Sequence, residues 1–146
     1  MCGLVGVISS NSFDKQDWLT QACKTMAHRG PDHQGEWWSD DKRVGLGHQR
    51  LSIIDLSSSG NQPMHLANKG LSIIFNGEIY NHHELRDQLK ILGCKFYSQS
   101  DTEVLLVSYE KWGTNCLNYI NGMFAFALYD SKKKQLFMAR DRAGEK

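Results

Sequence analysis

Six short runs of apolar and β-branched residues constrain the fold more than any other feature of this sequence. They predict strands at about 4–8, 35–39, 44–48, 71–75, 123–129 and 135–139. Polar turns at 40–42 and 131–134 join two adjacent pairs into hairpins, which form antiparallel sheets. The first run is flanked by glycines, and we expect it to be a buried strand. Because only a few helical segments lie between the strands, the order of elements predicts an α+β fold rather than a parallel α/β one.

Helical spacing of apolar residues predicts amphipathic helices at about 13–27 and 82–92, with a loop rich in Ser, Gly and Asn at 55–70 between them. Gly93 would stop the second helix, whose inward side chains are predicted to be Leu85, Leu89 and Leu92. A third helix is predicted to begin at Ser100-Asp101-Thr102-Glu103, which matches the capping box, and to end at Gly113.

The composition indicates one globular domain and excludes several functional classes. The chain has 146 residues, a formal net charge of +1 and 40% hydrophobic residues. A net charge this close to zero gives no reason to expect nucleic acid or an anionic membrane surface as a partner. No apolar run reaches the ~18–20 residues that span a bilayer, and no basic region precedes the first apolar run as it would in a signal peptide. We therefore expect a cytoplasmic protein.

The four cysteines differ in what their positions suggest. No two of them have the short spacing of a zinc site or a redox motif, and a reducing compartment argues against disulfides. Cys23, Cys94 and Cys116 are predicted to be small buried apolar residues, with Cys94 at the start of a strand. Cys2 alone has a position that suggests chemistry, because it directly follows the initiator methionine.

A cysteine at the true chain terminus has a general base of its own. A thiol attacks carbonyl carbon well only as the thiolate, so a catalytic cysteine needs a nearby base. Removal of Met1 would expose the α-amine of Cys2, and such amines have an ordinary pKa of about 7.7–8.0, which suits a general base near neutral pH.

Three further positions could serve a nucleophile that attacks an amino-acid amide. Asn76-Gly77 could supply a side-chain amide and an open backbone N–H to an oxyanion, or it could be an ordinary hairpin turn. Arg50 could hold a substrate carboxylate with its forked donors. Asp101 could receive a substrate ammonium, or it could simply be a carboxylate stabilised by the N-terminus of its helix.

Seven segments follow one another in the order of a known family. They are 1–6, 28–32, 47–55, 76–81, 100–103, 121–127 and 139–144. Together they cover essentially the whole chain, and they resemble the glutaminase domain of class II glutamine amidotransferases, whose nucleophile is N-terminal. Pro31-Asp32 and the 76–81 segment resemble the asparagine synthase (glutamine-hydrolysing) branch of that family.

The resemblance implies a four-layer αββα sandwich of the N-terminal-nucleophile hydrolase type, with two packed antiparallel sheets between helices. It also implies that Cys2 attacks the side-chain amide of L-glutamine, with its own α-amine as proton shuttle. Asn76 and the Gly77 N–H would form the oxyanion hole. A γ-glutamyl thioester would form as ammonia leaves, and water would then release glutamate without a metal or a cofactor.

The same resemblance implies how glutamine is bound and where its ammonia goes. Arg50 would hold the α-carboxylate and Asp101 the α-ammonium, and the rest of the pocket would be lined by Leu51, Ser52, Ile53, Ile54 and Glu78. In the parent protein the ammonia would pass to a C-terminal synthetase domain, which would use ATP and Mg²⁺ to convert aspartate to asparagine.

We expect residues 1–146 to be a fragment, because the family's domain continues beyond this point into a final strand and then the synthetase. A sheet edge left uncovered would favour self-association into a homo-oligomer. Two alternatives stay open. If Met1 is retained, so that Cys2 lacks its amine, or if truncation disrupts the site, the domain would bind glutamine or a partner without hydrolysis. The parent protein could also pass its ammonia to a different acceptor, such as a sugar carboxylate.

Overall fold

The computed structural model describes residues 1–15 and 17–146, which form seven strands, three α-helices and several short 3₁₀ turns. The strands are β1 (Gly3–Ile8), β2 (His33–Trp38), β3 (Val44–Arg50), β4 (Met64–Leu66), β5 (Leu71–Ile79), β6 (Gly122–Asp130) and β7 (Gln135–Arg140). The helices are α1 (Asp17–Thr25), α2 (His82–Ile91) and α3 (Asp101–Trp112).

The strands form two antiparallel sheets that face each other. The first sheet has the order β1-β3-β2 and the second the order β4-β5-β6-β7. Helix α1 packs on the outer face of the first sheet, α3 packs on the second, and α2 packs against α3. This arrangement confirms the predicted α+β class and the αββα sandwich.

The two interfaces of the second sheet differ greatly in apolar content. Between this sheet and its helices lie seventeen of the buried apolar side chains in the described chain, among them Ile73, Phe75 and Leu105. Between the two sheets lie only four, which are Val44, Leu46, Ile74 and Tyr129. Since buried apolar area is the main favourable term in folding, the second sheet and its helices form the better-stabilised half.

Several strand predictions need correction. The predicted loop at 55–70 contains β4, whose three residues are too few to give a periodic pattern. The chain at Cys94 is irregular and is not a strand. Strand β1 is only half-buried, with Ile8 64% exposed, because it lies at the edge of a three-stranded sheet.

The helix predictions also shift in detail. Helix α1 begins at Asp17 rather than at 13, and Gln16 lies outside the described residues. Leu92 is 48% exposed and lies just past the end of α2, so it does not face inward as predicted. Gly93 and Gly113 follow α2 and α3 with positive φ, a backbone conformation that favours glycine.

Only one half of the predicted capping box forms at α3. The Ser100 hydroxyl accepts a hydrogen bond from the Thr102 N–H at 3.0 Å. The Glu103 carboxylate instead accepts from the N–H groups of Tyr97 and Ser98, both at 2.8 Å. It therefore fastens the loop before the helix rather than the cap residue itself.

No helix in residues 1–15 and 17–146 combines the length and the apolar character that crossing a membrane requires.

Candidate active site

Strand periodicity directs Arg50 and Asn76 into the same space. Leu46 of β3 and Ile74 of β5 pack between the two sheets. Side chains two residues apart on a strand share a face, so Arg50 and Asn76 also point into the gap between the sheets. Both lie towards the carboxyl ends of their strands, which places them at one edge of the sandwich.

Cys2 enters this gap by the same rule. Leu4 of β1 packs against the cluster between the sheets, and Cys2 precedes it by two residues. Gly3 pairs with Gln49, so the next step of the register sets Cys2 beside Arg50. Two adjacent strands of the first sheet thus bring the candidate nucleophile and the candidate carboxylate-binding cation together.

The backbone of β5 continues straight through Asn76-Gly77, which excludes the hairpin-turn interpretation. On the edge of β5 away from β6, the Phe75 N–H donates to the Gln62 side chain at 2.6 Å, and the Ile79 N–H donates to Asp101 at 3.0 Å. Because N–H directions alternate along a strand, the Gly77 N–H points to the same edge, between these two. That edge faces the cavity described below.

The Cys2 thiol is held by one residue of the loop after β3. The Leu51 N–H donates to Sγ at 3.4 Å, and the thiol donates to the Leu51 carbonyl at 3.6 Å. Arg29 donates from Nε to the Cys2 carbonyl at 3.2 Å, which fixes the backbone next to the thiol. In this chain the Cys2 nitrogen is bonded to Met1, so it is an amide standing in the place of the α-amine.

Arg50 is buried, and most of its hydrogen bonds go to the loop that follows it. Its Nη1 donates to the Ser57 carbonyl at 2.8 Å and to the Asn61 side chain at 2.7 Å, and its Nη2 donates to the Asp55 carbonyl. These contacts fix the position of the guanidinium, and Arg50 lines the cavity, where its charge can meet an anion.

Asp101 is 5% exposed and lies in the first turn of α3. Its Oδ2 accepts the Ile79 N–H at 3.0 Å. Burial nevertheless raises the pKa of Asp101, since removing a carboxylate from water disfavours its charged form more than this hydrogen bond favours it. A cationic group arriving in the cavity would relieve that penalty.

These residues surround a cavity of about 120 Å³. Most of the residues predicted for the site line it, namely Cys2, Arg50, Leu51, Ile53, Ile54, Asn76, Gly77, Glu78 and Asp101. Ser52 does not, because its backbone N–H turns away to the Asp32 carboxylate at 2.7 Å. In the part of the chain that the structure describes, no three His, Cys, Asp or Glu side chains form a group able to hold a metal ion.

Several residues that shape the site were not predicted from the sequence. The Gln62 side chain accepts the Phe75 N–H and donates to the Thr102 hydroxyl at 3.2 Å, so it connects β5 to α3 next to the cavity. Asp55 and Gly60 line the cavity from the loop after β3. In the 28–32 motif, Arg29 donates to the Cys2 carbonyl and Asp32 accepts the Ser52 N–H, so the motif braces both residues.

His48 lies fully buried beneath the site. Its Nε2 is 3.1 Å from the Phe75 carbonyl, which can only accept, so Nε2 carries the proton. Burial is the main cause that lowers the pKa of His48 to about 4; the Phe75 carbonyl opposes this shift and the nearby Arg50 charge adds to it. The ring is therefore neutral at pH 7 and links the first sheet to the backbone next to Asn76.

The chain is similar in sequence to known proteins over most or all of its length. A model of the glutamine amidotransferase domain family matches residues 1–146. Asparagine synthetase (glutamine-hydrolyzing) 3 of Bacillus subtilis is 41% identical over 150 residues, covering 100% of this chain and 24% of that protein. Amidase chry2 of Gibberella zeae is 42% identical over 140 residues, covering 96% of this chain and 21% of that protein. The chain thus spans less than a quarter of the length of these relatives.

Two solved structures have the same fold at low sequence identity. The glutamine phosphoribosylpyrophosphate amidotransferase of Bacillus subtilis, complexed with ADP and GMP, matches with a TM-score of 0.78 at 20% identity. The allosteric regulatory enzyme of purine biosynthesis matches with a TM-score of 0.80, also at 20% identity. Each match covers 99% of this chain and 38% of the other. Identity this low supports the shared architecture alone.

Proposed function

Because this chain belongs to the glutamine amidotransferase family, we propose that its domain hydrolyses the side-chain amide of L-glutamine with Cys2 as the nucleophile. One observation carries the proposal: Cys2, Arg50, Gly77 and Asp101, from four separate parts of the chain, line a single cavity. A nucleophile, an N–H donor, a cation and an anion are what an α-amino acid with a reactive amide requires.

The fixed charges would orient the substrate. The Arg50 guanidinium would bind the α-carboxylate, and Asp101 would bind the α-ammonium, which compensates for the cost of its burial. With both ends held, the side-chain amide would extend towards Cys2 and the Asn76-Gly77 edge of β5. The geometry thus favours amino acids whose amide lies at a fixed distance from Cα.

The reaction would proceed in two balanced steps. The α-amine of processed Cys2 takes the thiol proton as Sγ attacks the amide carbon, and the resulting oxyanion accepts hydrogen bonds from the Asn76 side chain and the Gly77 N–H. The ammonium formed returns its proton to the leaving nitrogen, which departs as ammonia and leaves a γ-glutamyl thioester. Water, deprotonated by the same amine, attacks the thioester carbon; the C–S bond breaks to release glutamate, and the ammonium returns the proton to the departing Cys2 thiolate. No metal or cofactor is required for either step.

The test is glutamate release by protein from which Met1 has been removed. We expect turnover of glutamine by the processed protein and none by Cys2→Ala. Cys94→Ala is the matched control, because Cys94 is half-buried, does not line the cavity and packs against the larger apolar cluster. Turnover persisting in Cys2→Ala would refute the nucleophile assignment.

A second candidate function applies to protein that retains Met1. An amide nitrogen cannot accept the thiol proton, so unprocessed protein would bind glutamine without hydrolysing it. Calorimetry on both forms would separate the two cases. Binding by both with ammonia release from only the processed form supports the base assignment, whereas turnover by the Met1 form contradicts it.

The acceptor of the ammonia is proposed from the relatives. Those named as glutamine-hydrolysing asparagine synthetases are far longer than this chain, and the proposed parent protein would carry a synthetase domain that uses ATP and Mg²⁺ to amidate aspartate. Relatives named as amidases match equally well, so other acceptors, such as a sugar carboxylate, form the alternative. Ammonia-dependent amide formation by the full-length protein with each acceptor would decide between them.

A further inference from the structure

The carboxylate of Asp55 joins the loop after β3, which contacts Arg50, to the loop before α3, which leads into Asp101. Its Oδ2 accepts the backbone N–H of Gln99 at 3.0 Å, across 44 positions of the chain. Its Oδ1 accepts both the N–H and the hydroxyl of Ser57, at 2.9 and 2.6 Å. Gln99 lies two residues before Asp101, whereas Ser57 belongs to the loop that holds Arg50.

The orientation of Arg50 depends on this same residue. The guanidinium donates to the backbone carbonyl of Asp55 and, at 2.8 Å, to that of Ser57. Both carbonyls lie in the short turn that the Asp55 carboxylate closes through Ser57. If the carboxylate is lost, the turn opens and two of the contacts that hold Arg50 at the cavity lose their fixed positions.

The loop before α3, which supplies the Gln99 N–H, is held in place by buried side chains. Buried Arg86 donates to the Ser98 and Ser100 carbonyls at 2.8 and 2.9 Å, on either side of Gln99. Buried Glu103 holds the Tyr97 and Ser98 N–H groups. The Gln99 N–H is therefore presented by a loop fixed from both sides, and Asp55 fastens the more exposed loop to it.

The charge on Asp55 is secured by its own hydrogen bonds. The Ser57 hydroxyl lowers the pKa of Asp55 below its ordinary value, and the N–H groups of Ser57 and Gln99 act in the same direction. The carboxylate is thus ionised throughout the neutral range, and its bond to Gln99 is charge-assisted.

We propose that Asp55 is a positioning residue that sets the separation between Arg50 and Asp101, and thereby the affinity for substrates carrying both an α-carboxylate and an α-ammonium. The inference rests on the proposed function, since it assumes that these two residues bind glutamine. Asp55 would not touch the reacting atoms. It would act through Arg50, so its loss should weaken binding and leave the chemical step unchanged.

Binding is best measured where no turnover can occur. In Cys2→Ala protein we expect Asp55→Ala to raise the Kd for glutamine about tenfold, the effect of losing one charge-assisted contact. Asp55→Asn keeps the shape of the side chain and one acceptor oxygen, so its Kd should lie between those of the Asp55 and Asp55→Ala proteins. This variant also provides the test if Asp55→Ala folds poorly. Asp87→Ala removes an exposed aspartate on α2 and should leave Kd unchanged.

Two comparisons distinguish the positioning of Arg50 by Asp55 from a general structural role of Asp55. In an Arg50→Lys background, Asp55→Ala should change Kd less than twofold, because its effect passes through the missing guanidinium. In processed active protein, Asp55→Ala should raise KM for glutamine with kcat within twofold, and it should not alter the slow hydrolysis of 4-aminobutanamide, which is glutamine without its α-carboxylate. Additive effects, or equal losses with both substrates, would overturn the proposal.

Amide hydrogen exchange tests the contact itself. The Gln99 N–H should exchange slowly in Cys2→Ala protein and markedly faster when Asp55→Ala is added. Unchanged exchange at Gln99 would refute the contact even if glutamine is hydrolysed as proposed. Conversely, glutaminase activity that survives Cys2→Ala would refute the proposed function and leave the exchange result standing.

Discussion

Replacing Gly77 by alanine should damage catalysis more than it damages stability. A Cβ at this position would lie 2.3 Å from the Met123 carbonyl oxygen and 2.7 Å from the Phe124 Cα. Ordinary van der Waals contact begins at 3.4 Å, so the methyl group is about 1 Å too close to the backbone of β6. Backbone atoms cannot rotate out of the way as a flexible side chain would. The β5 backbone must therefore move at the position that carries the proposed oxyanion donors.

The size of the effect follows from what that movement displaces. Loss of one oxyanion donor lowers kcat by about 10²–10³-fold, and overpacking costs about 1–3 kcal/mol of stability. For a domain of this size that corresponds to roughly 3–10 °C in Tm. Arg50 and Asp101 lie outside the displaced segment, so KM for glutamine should change little.

The assay is steady-state glutamate release by processed protein, with thermal unfolding of the same samples. Gly70→Ala is the matched control, because Gly70 has a φ of +73° and its Cβ would lie 2.4 Å from the Ser131 hydroxyl. It precedes β5 at the end opposite the cavity, so it should lower Tm and leave kcat unchanged. A Gly77→Ala variant with kcat within threefold of the parent would refute the reasoning. So would a Gly70→Ala variant that loses as much activity.

Three further predictions follow from the site. Burial raises the pKa of Asp101, so the charge of this carboxylate begins to oppose folding above the ordinary carboxyl pKa, and the penalty is complete above the raised pKa. Asp101→Asn should therefore raise Tm at pH 7. The same variant should weaken glutamine binding, measured by calorimetry, at least about tenfold. A lower Tm would show that the bond to Ile79 outweighs burial. Arg50→Lys should raise KM strongly, because lysine cannot make a bidentate contact, and an unchanged KM would make the residue structural. The pKa of His48 is about 4 in the folded protein and ~6.5 in the unfolded chain. Urea titrations should therefore show the free energy of unfolding falling by about 3 kcal/mol as the pH drops from the unfolded to the folded pKa. His48→Gln should remove this pH dependence.

The layered architecture and the convergence of the site were predictable because they depend on regular features. Hairpin-linked strands predicted the antiparallel sheets, and the motif order implied the sandwich. The alternation that places Leu46 and Ile74 between the sheets also sends Arg50 and Asn76 there. A sequence reading can follow such a period without knowing any tertiary contact.

The parts that could not be predicted depend on side chains that bond distant backbone. Asp55 with Gln99 and Gln62 with Phe75 leave no periodic signal, because each pair joins an irregular segment to another part of the chain. Strand β4 was missed since three residues cannot establish an alternation. Glu103 fits the capping-box spacing, yet the loop before α3 offers it two N–H groups that lack other partners within the loop, and it binds those instead.

The uneven division of the apolar core has a consequence for how activity would be lost under stress. In the described chain the cluster between the sheets has four buried apolar side chains and four partly buried ones, against seventeen and seven in the cluster of the second sheet. The first sheet with α1 should therefore open as a separate cooperative unit before the second sheet and its helices melt. Cys2 belongs to the first unit and Asn76 to the second. Mild denaturant would therefore part the nucleophile from its oxyanion donors while most of the secondary structure persists, and the site would serve as a reporter of sub-global unfolding.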